Sequence, residues 1–302
     1  MELGMIGLGK MGANMTRRLT KGGHKVVVFD RNAEAVKPLA GEGVIRATSL
    51  QDMMRKLKGP RAVWIMVPSG NATEQTIMDL MGVLAKGDTV IDGGNSNYKD
   101  SMRRADMLAA AGLNFVDVGT SGGIWGLAEG YSLMMGGQKD IVAALNPIFE
   151  TLAPAKDKGW GYVGPHGAGH FVKMVHNGIE YGMMQAYAEG FDLLRKKKVM
   201  DFDLHSIAEI WQHGSVVRSW LLDLTESALK QNPTLDGIAA WVPDSGEGRW
   251  TVVESIDLDC PIPVITASLQ ARFASRDQEP FSYKLLAAMR NQFGGHGVKI
   301  KG

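Results

Sequence analysis

Cysteine is almost absent from this chain. Cys260, beside Pro261, is the one example among 302 residues. No disulfide can form within the chain, so a disulfide-stapled secreted domain is excluded and a reducing, cytoplasmic setting is expected. An excess of charge of either sign is missing too. Lys and Arg total 33, Asp and Glu total 32, and the net charge is +1. That balance gives no basis for nucleic acid or an anionic membrane as a partner. The longest basic run, Arg195 to Lys198, closes an apolar helical pattern and reads as a solvated helix end. No run is long and apolar enough to span a bilayer. No charged leader with a cleavage site precedes the first strand pattern, so no secretion signal is expected. A full metal-ligand set is also lacking, although His166, His170 and His176 invite a zinc reading. His166 and His170 fall in a glycine-rich stretch with no cysteine or acidic partners, so no metal is expected.

What is present is an ordinary globular balance, with 45% hydrophobic and 22% charged residues. The length fits two domains. The first opens with the apolar stretch ELGMIGLG. Gly7, Gly9 and Gly12 then form G-x-G-x-x-G, with Leu8, Lys10 and Met11 between them. A helical pattern follows, then the strand run Lys25 to Phe29, then Asp30. This strand, glycine turn, helix, strand, acid order is the context that a dinucleotide fingerprint needs. Gly7 permits the tight turn, Gly9 lets the backbone approach a pyrophosphate, and Gly12 lets helix and strand pack closely. The helix N-terminus offers free N–H groups to the phosphates. Asp30 accepts from the adenine ribose hydroxyls and repels a 2′-phosphate. NAD is therefore expected, with NADP accepted at lower preference because Arg31 stands next to Asp30. A plain βαβ unit without a ligand is the alternative.

The α/β rhythm continues through strand patterns at 62–67, 89–91, 115–118 and 131–135, with helical patterns at 73–84, 101–111 and 141–152. The loops MVPSG (with Val67 and Pro68), DGGNS (with Asn95) and GTSGG (with Ser121, Gly122 and Gly123) all follow strand ends. In open α/β sheets that is where ligands bind. These loops are expected to line the nicotinamide side of one crevice, where Asn95, Ser121 and the Gly122–Gly123 amides suit a carboxylate. The fold class is thus a Rossmann-type α/β domain, residues 1–165, followed by an all-α domain, residues 166–302. Glycine-rich 159–169 marks the boundary. Helical patterns follow at 170–198, 203–212, 216–230, 250–257, 262–274 and 283–293.

One stretch of the long helix stands out. Lys173, His176, Asn177, Glu180 and Tyr181 share a face at i, i+3, i+4, i+7 and i+8 spacing. Val172, Val175, Ile179 and Met183 point elsewhere. A solvated face is the plain alternative, but such faces usually carry Lys, Glu, Gln and Arg rather than this mixture.

GLGKMGANM, DGGNSNY, Ser121-Gly-Gly, GHFVKMVHNGIEYGMMQ at 169–185 and the tail RNQFGGH at 290–296 together resemble the decarboxylating 6-phosphogluconate dehydrogenases, in a short form with a reduced helical domain. The resemblance implies NAD-linked oxidative decarboxylation of 6-phosphogluconate. It implies that Lys173 is the general base and Glu180 the general acid. His176, Asn177, Ser121, Gly122 and Gly123 correspond to substrate ligands, and Asn95 to a residue touching both nicotinamide and substrate. Tyr181, Arg272, Arg290 and His296 correspond to phosphate ligands. The tail residues come from a neighbouring subunit in that family, so a homodimer or higher homo-oligomer is implied. One motif departs: the family's K-G-T-G-K-W-T reads Ser245-Gly-Glu-Gly-Arg-Trp-Thr here, so Ser245 and Glu247 replace phosphate ligands, and the two alternatives are compensation by Arg249 or a different placement of the loop.

The chemistry fits those roles. Oxidising a secondary alcohol needs a base for the hydroxyl proton, and an amine kept from water beside a cationic nicotinamide is more readily neutral. The resulting β-keto acid loses CO2 when an ammonium stabilises the developing enolate. An acid two turns along the helix can then protonate C1. Two rival readings are a non-decarboxylating 3-hydroxyacid dehydrogenase of the 3-hydroxyisobutyrate type, and an NAD-binding sensor or scaffold without turnover.

Overall fold

The computed structural model describes residues 1–39, 41 and 43–300. Two compact units divide the chain, Met1–His176 and Asn177–Gly302.

The first unit is built on eight strands: β1 (Glu2–Ile6), β2 (Lys25–Phe29), β3 (Ile45–Arg46), β4 (Ala62–Ile65), β5 (Thr89–Asp92), β6 (Asn114–Ser121), β7 (Ser132–Gly137) and β8 (Trp160–Gly164). They form one sheet in the order β3-β2-β1-β4-β5-β6-β7-β8. Every pair is parallel except β6 with β7. The helices of this unit are α1 (Lys10–Lys21), α2 (Leu50–Lys56), α3 (Asn71–Met81), α4 (Tyr98–Ala110), α5 (Gly126–Glu129), α6 (Lys139–Ala144) and α7 (Asn146–Leu152). The start of α8 (Ala168–Lys196) also belongs to it.

Strand periodicity assigns each side chain to a face. Val26 and Val28 of β2 join Met15, Leu19 and Phe149 in one core cluster, while Val27 joins Met53, Ile77 and Leu108 in the other. Both faces are covered, as parallel sheets require. Two local expectations need correction. The helical run over 141–152 is broken at Leu145, because Pro147 in the first turn of α7 cannot donate to a preceding turn. The glycine-rich stretch at 159–169 contains β8, which pairs with β7. Its half-exposed residues and two glycines leave no strand alternation to read.

Helix α8 lands on this sheet through bare backbone. A Cβ on Gly119 of β6 would come within 2.5 Å of both the Gly169 carbonyl oxygen and the Lys173 Cβ. A Cβ on Gly169 would lie 2.5 Å from the carbonyl oxygens of Asp117 and Met134. Buried Asp117 fixes the helix start, accepting from the Gly167 N–H at 2.7 Å and the His170 N–H at 3.0 Å. A carboxylate there also complements the helix dipole.

The second unit holds the rest of α8, followed by α9 (Leu204–Gln212), α10 (Trp220–Gln231), α11 (Glu247–Asp257), α12 (Pro263–Arg276) and α13 (Phe281–Gly294). No strand occurs among its described residues. Helix α10 begins at Trp220, later than the apolar pattern suggests, because Ser219 caps it by accepting from the Leu222 N–H at 3.2 Å. Val216 and Val217 lie outside it and are exposed. A small core gathers Phe191, Ala208, Leu222 and Leu229, with Tyr187 and Trp211 packed on it.

Candidate active site

A cleft at the carboxyl ends of β1, β2 and β4 is lined by Gly7, Gly9, Asp30, Arg31, Val67 and Pro68, together with Ala72, Thr76 and Asp79 of α3. The three glycines behave as their spacing suggests. Gly7 sits at φ 90°. A Cβ on Gly12 would lie 1.9 Å from the Gly7 carbonyl oxygen, whereas one on Gly9 would meet nothing within 4 Å. The open side of Gly9 is where a pyrophosphate can approach the backbone. Helix α1 has Gly9 as its N-cap and no side-chain cap, which leaves its first-turn N–H groups available to an anion. These features fit a dinucleotide.

The remaining predicted cofactor residues divide by exposure. Leu8 is buried in the core, and its N–H donates to Asp30 Oδ2 at 2.7 Å. Asp30 Oδ1 accepts from the Asn32 N–H at 2.7 Å. The carboxylate is thus fixed at the end of β2. Lys10 is exposed and Met11 half-buried at the start of α1. Arg31 does not lie against Asp30. Its guanidinium donates to Asp79 Oδ2 at 3.1 Å.

Asn95 is exposed on a loop that buried groups hold in place. Asp92, fully buried at the end of β5, accepts from the Gly94 N–H at 3.1 Å and from Ser96 Oγ at 2.7 Å. Arg104 of α4, 1% exposed, reaches Asp92 at 3.4 Å and Glu74 at 2.9 Å. Arg103 makes two further bonds to Glu74, at 2.8 and 2.7 Å. Arg103, then Arg104, hold the Glu74 carboxyl well below its ordinary value, at about 2, against the opposing effect of burial. Sequence reasoning missed Asp92, Arg104 and Asp117. Asp92 stands in the very motif that drew attention to Asn95, and a charged residue inside an apolar strand run was the available signal for Asp117.

Ser121 ends β6, and Gly122 and Gly123 follow at φ 131° and 52°. Ser121 Oγ lies 3.4 Å from His176 Nε2, and Lys173 Nζ lies 3.5 Å from His176 Nδ1. One imidazole therefore spans the gap between the amine and the serine hydroxyl. The polar stripe of α8 is the covered one: Lys173 and Asn177 are each 7% exposed and Tyr181 5%, with His176 and Glu180 half-buried. The apolar residues beside it are the exposed ones, with Ile179 at 52% and Met183 at 39%. The solvated-face alternative is overturned.

Within the second unit, Tyr181 gathers a separate cluster. The Arg272 guanidinium stacks on its ring, 3.6 Å from the centroid. The Tyr181 hydroxyl accepts from the Ser245 N–H at 3.0 Å and lies 3.2 Å from Ser245 Oγ. Ser245 Oγ donates to buried Glu247. Gly248 permits this approach, since a Cβ there would meet the Tyr181 ring at 2.5 Å. Arg249, of the altered motif, is paired within the second unit. Asp244 accepts from it at 2.8 and 3.1 Å, and its guanidinium stacks on Phe273. Arg249, then Arg276, hold the Asp244 carboxyl below the usual carboxylate range. Arg290, on α13, and His296, beyond it, are both exposed. No group of His, Cys, Asp and Glu suited to a metal occurs among the described residues.

Comparison with known proteins bears on this arrangement directly. Residues 2–164 match the model of the NAD binding domain of 6-phosphogluconate dehydrogenase, and residues 169–284 match that of the 6-phosphogluconate dehydrogenase C-terminal domain. The NAD(+)-dependent, decarboxylating 6-phosphogluconate dehydrogenase of Haloferax volcanii is 44% identical over 302 residues, covering 100% of this chain and 99% of that one. The decarboxylating 6-phosphogluconate dehydrogenase of Lactococcus lactis (strain IL1403) is 37% identical over 316 residues, 99% of this chain and 67% of that one. Among solved structures, Plasmodium falciparum 6-phosphogluconate dehydrogenase superposes with a TM-score of 0.84 at 29% identity, covering 100% of this chain and 66% of that one. A Mycobacterium tuberculosis 3-hydroxyisobutyrate dehydrogenase shares the fold, with a TM-score of 0.73 at 21% identity over 91% of this chain and 94% of that one. The chain belongs to the 6-phosphogluconate dehydrogenase family.

Proposed function

We propose that this protein oxidises 6-phosphogluconate with NAD+ and decarboxylates the product, giving ribulose 5-phosphate, CO2 and NADH. The observation that carries this reading is the inverted burial of α8. Lys173 is shielded from water against Gly119 at the end of β6, while apolar Ile179 and Met183 face outward. A bound nicotinamide supplies the hydride acceptor. The chain's own residues handle the protons. Lys173 accepts the 3-hydroxyl proton and, as an ammonium, stabilises the enolate left when CO2 departs. Glu180, about 10 Å along the same helix at 1.5 Å per residue, protonates C1. Ser121, Gly122 and Gly123 hold the carboxylate end, aided by His176, Asn177 and Asn95.

Tyr181, Arg272, Arg290 and His296 serve the phosphoryl end. The exposure of Arg290 and His296 supports their reaching a second copy of the chain. The same holds for α13, whose Phe281, Tyr283, Leu285, Leu286 and Met289 are all exposed. On this reading the helical domain from residue 166 binds substrate and builds a homodimer or higher homo-oligomer. No helix of the described residues is long and apolar enough to cross a membrane, and we place the enzyme in the cytoplasm.

The test is CO2 release and NADH formation from 6-phosphogluconate, set against NADH formation from 3-hydroxyisobutyrate. Faster turnover of the short hydroxyacid, without CO2, would overturn the assignment.

A further inference from the structure

We infer that Asp79 is a cofactor-specificity residue, which withholds Arg31 from a 2′-phosphate. This rests on reading the glycine-loop cleft as the dinucleotide site. Ala72, Thr76 and Asp79 follow one another at helical spacing, so one stripe of α3 faces that cleft, and all three line it. Asp30 lies across from them at the end of β2. Among the described residues lining the cleft, Arg31 is the one cation and stands with two carboxylates, Asp30 and Asp79.

An arginine beside the acid at this strand end is the group that accommodates the extra phosphate of NADP. Here it is already engaged. Its Nη2 lies 3.1 Å from Asp79 Oδ2. Asp79 is itself oriented from its own helix, since Gln75 Nε2 donates to Oδ1 at 2.8 Å. Asp30 is held by the Leu8 and Asn32 N–H groups. A 2′-phosphate would therefore meet one fixed carboxylate at the ribose position and would have to displace a second from Arg31. NAD makes neither demand. Discrimination is thus shared between two helix and strand ends, and the usual single acid after β2 carries only part of it.

The experiment measures equilibrium binding of NAD+ and NADP+, and kcat/KM with each, for the full chain and for Asp79→Asn, Arg31→Ala and the double variant. Asp79→Asn is expected to shift the affinity ratio toward NADP+ roughly five- to tenfold, the scale of an exposed ion pair plus the loss of a nearby like charge. The shift should shrink as salt rises, because both effects are screened. In the Arg31→Ala background the same substitution should move the ratio less than about twofold, since coupled residues are non-additive. An unmoved ratio in Asp79→Asn overturns the proposal. So does an equal shift with Arg31 absent, which would leave Asp79 a bare charge rather than a tether. Failure of the sugar-acid assignment would look different: no turnover of 6-phosphogluconate, with the binding ratios still readable.

Discussion

In the first unit both faces of the sheet are covered, and apolar residues from Leu3 to Leu152 form two large clusters. In the second, the core shrinks to a few side chains around Phe191 and Leu222. Ile210, Ile238, Ile256, Val264 and most of the apolar residues of α13 remain exposed. The two units have similar hydrophobic material and different uses for it. The first is complete within one chain. The second displays many apolar residues, which the homo-oligomer proposed above would cover. The difference also shows in the charges. Acids of the first unit, Asp92 and Asp117, are fully buried and fix loops or a helix start. The ion pairs of the second unit around Asp244 include the half-exposed Arg249.

The comparison can be broken at several points. The largest effect is expected from Lys173→Ala, which should lower kcat by about 10²–10⁴, the usual contribution of acid–base catalysis. NAD+ binding should survive, because the cleft at Gly7, Gly9 and Asp30 is not lined by Lys173. Near-normal turnover in this variant would remove the base assignment. Next comes replacement of Leu285, Leu286 and Met289 by glutamine. If α13 is interaction surface, sedimentation should show smaller particles, and turnover of 6-phosphogluconate should fall with NAD+ binding retained. Unchanged particle size would refute that use of the surface.

Gly119→Ala tests the landing of α8. With backbone 2.5 Å from the new Cβ, overpacking should cost about 1–3 kcal/mol in urea unfolding. No shift in the midpoint would mean that the helix yields easily. The smallest effect concerns Glu74. Its pKa is depressed from 4.5 to about 2 by Arg103 and Arg104. Its stabilisation is therefore present above the unfolded value of 4.5 and lost as pH falls toward 2. Glu74→Gln should be less stable than wild type near pH 6, by an amount reduced by solvent screening around Arg103. The two should converge only as pH falls to about 2 and below. A gap independent of pH would show that packing, and not charge, is lost.

Much of the first unit was legible because its signals are local. Glycines at 7, 9 and 12, strand-length apolar runs and Asp30 each act within a few residues of their neighbours. The stripe on α8 was legible for the same reason, since helical spacing alone aligns Lys173 with Glu180. β8 was not, because its alternation is masked by glycine and partial exposure. The break between α6 and α7 was missed because one proline outweighs a continuous apolar pattern.

The sequence by itself determined the Rossmann-type unit, the glycine loop, the acid after β2 and the existence of a polar helix face. These follow from periodicity and from residue types that act on their own backbone. Only the tertiary structure decided which face of α8 is covered. The same is true of Asp117 holding the helix start, Arg104 tying the loop of Asn95, and Arg31 turning from Asp30 to Asp79. Those choices pair residues 12 to 53 positions apart, or set backbone against backbone at glycines. Such distances close only when the whole sheet is assembled, so no local spacing encodes them.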